Sequence, residues 1–226
     1  MSGHTTAVRL EQLTLREIGL PLKEPFRISS GVVSNRRIML LELRDADGAT
    51  TWSECVAGET PNYSSETIDT AWIATAEYVA PRVLGTSFSR AEDVHPALEV
   101  NFRGHEMAKA GVEMGMWALF AEKMRTSLSR LIGGTRAEIA TGISLGIQDS
   151  PEALVERAGR ALAEGYQKVK IKIEPGHDIE FIRAVRTTFP KAPLMADANN
   201  AYTLADTAHL ARLDEFSLMM IEQPLS

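Results

Sequence analysis

Three short stretches decide how this chain is read. They are Lys168-Val-Lys170-Ile-Lys172-Ile173, then Leu194-Met-Ala-Asp197-Ala-Asn199, then Met219-Met-Ile-Glu222-Gln223. Each has the length and apolar content of a strand. In the first, three lysines share one face and Val169, Ile171 and Ile173 share the other. If the apolar face meets helices, the lysines point the other way. The same phase places Met195, Asp197 and Asn199 on the inner face of the second stretch, and Met220 and Glu222 on that of the third. Lys172, Asp197 and Glu222 follow one another at intervals of 25 residues, the length of one strand-helix unit.

The connecting sequence agrees with that spacing. Ser150-Pro151-Glu152 begins a helix that ends near Gly165, with an N-cap and then proline at the first position. A second helix runs from about Asp178 to Phe189, and a third from Thr203 to about Leu213. Ile139 to Ile147 reads as the strand before them, with Ser144 able to point inward beside Gly142. Strands and helices alternating through short links imply parallel strands with right-handed crossovers. Two architectures remain open on this pattern, a doubly wound sheet or a (β/α)8 barrel. No glycine-rich nucleotide fingerprint follows any strand.

The chemistry of the inner face is distinctive. Neighbouring strands lie about 4.8 Å apart, so two carboxylates at adjacent strand ends repel, and one is pushed towards protonation. A divalent cation removes that conflict, and oxygen ligands favour Mg²⁺ or Mn²⁺ over zinc. A partly desolvated ammonium beside such a cation has a lowered pKa and serves as a general base. The competing reading is structural: a Lys-x-Lys run is commonly the solvated face of an edge strand, and Asp197 could cap nearby backbone. Three such residues in phase on consecutive strands are hard to explain as solvated surface.

Upstream the grammar is different. Val8 to Leu20 alternates as a strand, Arg37 to Leu43 is a denser one, and Thr50 to Val56 returns after the Asp45-Ala-Asp-Gly48 turn. Pro21 to Asn35 reads as a long loop of the kind that often carries function. A helix opens at Ser64-Ser65-Glu66 and runs to about Val79, with Pro81 just beyond its end. Glu106 to Met124 is a longer helix whose small residues suggest close packing and burial.

Composition sets the outer bounds. The 226 residues are 44% hydrophobic and 24% charged, with a net charge of −6. That excludes disorder and offers no basic field for nucleic acid. Apolar runs fall far short of the roughly 20 residues of a spanning helix. Cys55 is the single cysteine, so no internal disulfide forms. The opening Met1 to Thr6 lacks the features of a secretory leader, and a cytoplasmic protein is expected. His4, His95, His105 and His209 show no ligand spacing.

At these residues the chain resembles the enolase superfamily. More narrowly, it resembles the o-succinylbenzoate synthase / N-acylamino acid racemase group of the muconate-lactonizing subgroup. The run from Gly165-Tyr166 through Lys170-Ile-Lys172-Ile-Glu-Pro-Gly176, then Asp197-Ala-Asn199-Asn-Ala-Tyr202, then Ile221-Glu222-Gln-Pro224, carry the likeness. Pro25-Phe26-Arg27, Trp52-Ser53-Glu54-Cys55 and Pro61-Asn-Tyr63-Ser-Ser-Glu66-Thr67 extend it upstream.

The resemblance implies an α+β capping domain (1–135) followed by the first half of a (β/α) TIM-type barrel (136–226, four strands). It implies Lys172 as catalytic base, Lys170 as its electrostatic support, and Asp197 and Glu222 as Mg²⁺ ligands. Asn199 and Ser144 become substrate contacts, and Phe26 and Tyr63 capping residues that set specificity, although ordinary packing explains those two equally well. His177 stands where relatives often carry tryptophan. The group also needs a third carboxylate and a second lysine on later strands. A capping domain plus a whole barrel takes roughly 350 residues, so the sequence resembles the front part of such an enzyme. Such a piece is expected to be poorly stable alone or to self-associate, and to hold magnesium weakly.

The implied reaction is Mg²⁺-assisted removal of a proton next to a small-molecule carboxylate, with enediolate stabilisation. It leads to o-succinylbenzoate by dehydration, on the menaquinone route, or to N-acylamino acid racemisation. A synthase using one lysine as base and acid keeps that lysine here; a two-base racemase does not. Muconate cycloisomerase or dipeptide epimerase chemistry is the alternative within the family, and the Glu-Pro-Gly after the lysines favours the first group. An inactive half-barrel acting only by association is the alternative outside it. No nucleic-acid or membrane partner is expected, and a homo-oligomer is.

Overall fold

A computed structural model describes residues 7–225. The opening segment read above for a leader, and His4 within it, lie outside the described residues. The chain divides into two compact units. One holds the sequence up to Pro21 together with Asn35–Arg136. The other holds Leu22–Ser34 and everything from Ala137 onward.

The first unit is a four-stranded sheet with helices. β1 (Val8–Ile28) and β2 (Gly31–Asp45) are neighbours, followed by β3 (Thr50–Cys55). The loop expected over Pro21–Asn35 is instead the outer part of this hairpin, closed by Ser29 and Ser30 alone. A two-residue link forces the strands antiparallel. Pro21 and Pro25 suit extended backbone wherever the ladder needs no N–H. Gly31, at φ +148°, supplies the backbone that the turn requires.

The expected helix after Ser65 begins at an N-cap on Thr67. It comprises α1 (Ile68–Ala74), a wide π turn (Thr75–Val79) and α2 (Ala80–Val83). Pro81 therefore lies inside the helical run rather than beyond it. Proline has no N–H and crowds the carbonyl four residues back. The wide turn relieves this, with the Ala80 amide reaching back to Thr75. β4 (Ser87–Phe88) pairs with β1, giving the order β3-β2-β1-β4. α3 (Val94–Glu99) precedes α4 (Glu106–Lys123), and α5 (Leu128–Leu131) follows.

α4 is as buried as its small residues suggest. Gly111 and Gly115 face β3, where the Ser53 hydroxyl donates to the Gly111 carbonyl at 2.6 Å and Thr51 to that of Gly115 at 3.0 Å. Val8, Leu10, Met39, Leu41, Leu43, Val112, Met116 and Leu119 form the fully buried centre. Each such aliphatic side chain contributes about 1.5–3 kcal/mol on leaving water.

The second unit alternates as expected. β5 (Gly142–Leu145), α6 (Pro151–Ala163), β6 (Lys168–Lys172), α7 (Ile179–Thr188), β7 (Leu194–Asp197), α8 (Thr207–Leu210) and β8 (Ile221–Glu222) follow in order. The sheet is parallel in the order β5-β6-β7-β8. β5 and β8 are shorter than their apolar runs. The single helix expected after Thr203 is broken into 3-10 turns flanking α8. Leu210, Leu213 and Phe216 recur every third residue, the period of a 3-10 helix rather than an α-helix. Val169, Ile171, Ile173, Leu194 and Ala196 pack with Leu154, Ile182 and Val185 from the helices. Among the described residues no helix is long and apolar enough to cross a membrane.

Candidate active site

The apolar face of β6 is buried, so its lysines must take the opposite face. Register then does the rest. Lys172 stands opposite Asp197, and Asp197 opposite Glu222, so the three form one row across three parallel strands. The row lies at the C-terminal strand ends, where parallel α/β sheets carry their ligands.

The side chains meet. Lys172 Nζ donates to Asp197 Oδ2 at 2.6 Å and to Asn199 Oδ1 at 2.7 Å. Lys170 Nζ lies 2.7 Å from Glu222 Oε2 and 3.1 Å from Asp197 Oδ2. One ammonium thus touches both carboxylates. Asp197 is 1% exposed, and the Asn199 amide donates to its Oδ1 at 3.1 Å.

The electrostatics follow from these contacts. Burial alone would raise the pKa of Asp197, but hydrogen bonds and charge from Lys172 and Lys170 outweigh it and hold the carboxyl below its usual range. For Lys170, burial favours the neutral form, yet the hydrogen bonds it donates to Glu222 and Asp197 hold the ammonium above its ordinary value. In the protein's own field this lysine is thus held opposite to the lowering expected of an ammonium beside a dication.

The donor set fits a hard dication. Asp197, Glu222 and the Asn199 amide offer oxygen alone, with no thiolate or imidazole. Among the described residues, no group of three or more His, Cys, Asp or Glu side chains is arranged to hold a metal. Two carboxylates are what this chain brings.

The other expected site residues are distributed over both units. Ser144 stands beside Lys170 in the β5–β6 register, with its Oγ buried and unpartnered among the described residues. Phe26 lies against Gly146, just past β5, where a Cβ would come within 3.0 Å of the Arg27 carbonyl. Tyr63 belongs to the first unit and is exposed.

Sequence reasoning missed how the 22–34 hairpin is fastened. The Arg27 carbonyl accepts from the Ile147 amide at 2.9 Å, and its guanidinium meets Glu174 at 2.8 Å. Ser29 Oγ donates to the carbonyl of Ala198 at 3.0 Å. Arg27 stood in a quoted stretch, but nothing marked Ser29 among its neighbouring serines.

Comparison with known proteins shows what the chain is similar to. Residues 11–133 match the family described as mandelate racemase / muconate lactonizing enzyme, N-terminal domain, and residues 153–226 match the enolase C-terminal domain-like family. The chain is 42% identical to the o-succinylbenzoate synthase of Geobacillus kaustophilus, over 97% of its own length and 58% of the relative's. It is 44% identical to the N-succinylamino acid racemase of Thermus thermophilus, over 97% and 59%. A crystal structure of an enolase-superfamily member from Listeria innocua superposes with a TM-score of 0.91 at 36% identity, covering 97% of this chain and 59% of that one. The chain therefore spans a little under three fifths of the relatives it matches.

Proposed function

The chain belongs to the mandelate racemase / muconate lactonizing enzyme family of the enolase superfamily, and from that premise we propose that it supplies the proton-abstracting half of a carboxylate-processing active site. The observation that carries the reading is the single register row of Lys172, Asp197 and Glu222.

In this reading Asp197 and Glu222 would hold Mg²⁺, or Mn²⁺ in its place, and the Asn199 side-chain oxygen is a further oxygen donor. When bound, the ion would supply positive charge against the carboxylate of the substrate as its α-proton leaves. Neutral Lys172 takes the α-proton, and the C–H electron pair moves towards the substrate carboxylate. In dehydration the same lysine then returns that proton to the departing β-hydroxyl. Water leaves and the electron pair closes a carbon–carbon double bond. Lys170 keeps a second positive charge beside the row. Ser144, Phe26 and Tyr63 are the proposed substrate contacts.

O-succinylbenzoate synthesis is the first reading of the reaction, given the 42% identical synthase. N-acylamino acid racemisation is the second, given the 44% identical racemase. The test is α-proton exchange into D₂O, followed by NMR with Mg²⁺, on the synthase substrate and on an N-succinyl amino acid. Exchange that Lys172→Ala lowers by about 10³-fold supports the reading, a loss within the 10²–10⁴ range of one general base. Exchange that survives in Lys172→Ala rejects it.

A further inference from the structure

One buried carboxylate of the second unit serves no step of the chemistry above. Asp178 caps α7, six residues after Lys172, and is 6% exposed. Its Oδ1 accepts from the Ile179 amide at 2.5 Å. Its Oδ2 accepts from the Tyr202 hydroxyl at 2.8 Å and lies 2.7 Å from His209 Nε2. Tyr202 is 1% exposed and ends the turn that follows β7.

That turn is laced to the segment after β8. The amides of Ala198, Asn200 and Tyr202 donate to the carbonyls of Glu222, Gln223 and Pro224 at 3.1, 2.8 and 3.1 Å. Asn199, Asn200 and Gln223 all sit at positive φ, at 45°, 63° and 42°. Side chains rarely adopt that conformation, and it persists where surrounding contacts over-determine it. The Tyr202–Asp178 bond is a buried contact that joins this laced pair to the turn following β6.

We propose that Asp178, acting through the Tyr202 hydroxyl, is a positioning residue: it locks the turns leaving β6, β7 and β8 together and so fixes Asn199, Asp197 and Glu222 at one point. Its relevance to metal binding rests on the reading of Asp197 and Glu222 given above; the anchoring does not. A buried carboxylate that loses a donor is left under-satisfied, and a hydrogen bond to a charged group is among the stronger ones. Tyr202→Phe removes that donor and keeps the ring.

The experiment uses the full 226-residue chain. Amide hydrogen exchange and Mn²⁺ titration followed by electron paramagnetic resonance are compared in the parent, Tyr202→Phe, Asp178→Asn and Asp197→Asn. In Tyr202→Phe the amides of Ala198, Asn200 and Tyr202 are expected to exchange about tenfold faster. Those of Val8 to Leu10, and the far-ultraviolet circular dichroism, stay unchanged. Mn²⁺ affinity falls about tenfold, the lower end of the scale of lost outer-shell support. Unchanged exchange at the three amides overturns the proposal. Faster exchange with parental Mn²⁺ affinity, in a chain whose Asp197→Asn form has lost Mn²⁺, overturns it as well, leaving Asp178 merely structural. Mn²⁺ binding indifferent to Asp197→Asn rejects the metal reading instead, and the exchange data then decide the anchor alone. Should Asp178→Asn fail to fold, the Tyr202→Phe comparison decides.

Discussion

Single residues in this chain have opposite tolerances for reasons that distances make plain. A Cβ on Gly115 would come within 2.5 Å of Leu43 Cδ1 and 2.9 Å of Ser53 Oγ, whereas one on Gly111 meets nothing nearer than 3.3 Å. Leu43 is fully buried and cannot swing away. Gly115→Ala should therefore lose about 1–3 kcal/mol through overpacking. Gly111→Ala should be nearly neutral, because better helix propensity returns about 1 kcal/mol. Urea unfolding of the two variants checks this, and equal losses would contradict it. Asp178 gives a pH signature. Burial pushes its pKa up, but the hydrogen bonds from His209, Ile179 and Tyr202 outweigh it and hold the carboxyl below its usual range. A depressed folded pKa adds stability above the unfolded value of about 3.9, and that stability is lost as pH falls through the folded value. The gap in urea midpoint between parent and Asp178→Asn should accordingly be widest near neutral pH and narrow below about pH 4. A gap constant with pH would refute it.

Elements show where local chemistry governs and where packing overrides it. Ser150 caps α6 by accepting from the Ala153 amide at 3.2 Å, with Pro151 at the first position. Ser150→Ala should cost about 1 kcal/mol, measurable as a lower thermal midpoint. A midpoint equal to the parent's would show the cap to be idle. That cap was legible from Ser-Pro-Glu alone. So was the phase of β6 and β7, because alternation of lysine with Val and Ile leaves one face for the core. From that phase and a 25-residue interval, Lys172, Asp197 and Glu222 could be placed in a row before any coordinates. The hairpin around Ser29 was not legible, because Pro, Gly and Ser carry the same composition in a loop and in an extended arm. The break after Thr203 was not legible from the helix-start signal alone; Leu210, Leu213 and Phe216 recur at the three-residue period of a 3-10 helix. Nothing in the sequence alone marks the part that Tyr202 plays. Its role depends on Asp178, 24 residues away, and only folding brings the two together.

At the scale of the molecule, the parallel sheet ends in β5 on one side and β8 on the other, each with a single hydrogen-bonded neighbour among the described residues. Open strand edges template further pairing. The 226-residue chain should therefore gain mass with concentration in sedimentation velocity, and a monomer at every concentration would count against this.

The Leu22–Ser34 segment has a practical consequence. Because Arg27 and Ser29 clasp Ile147 and Ala198, the second unit is assembled from two separated tracts of the gene. A recombination crossover near Arg136 would look clean on a linear map. A chimera joined there would nonetheless inherit its Arg27 and Ser29 from one parent and the carbonyls and amides they grip from the other, so family shuffling at that seam exchanges half of a handshake.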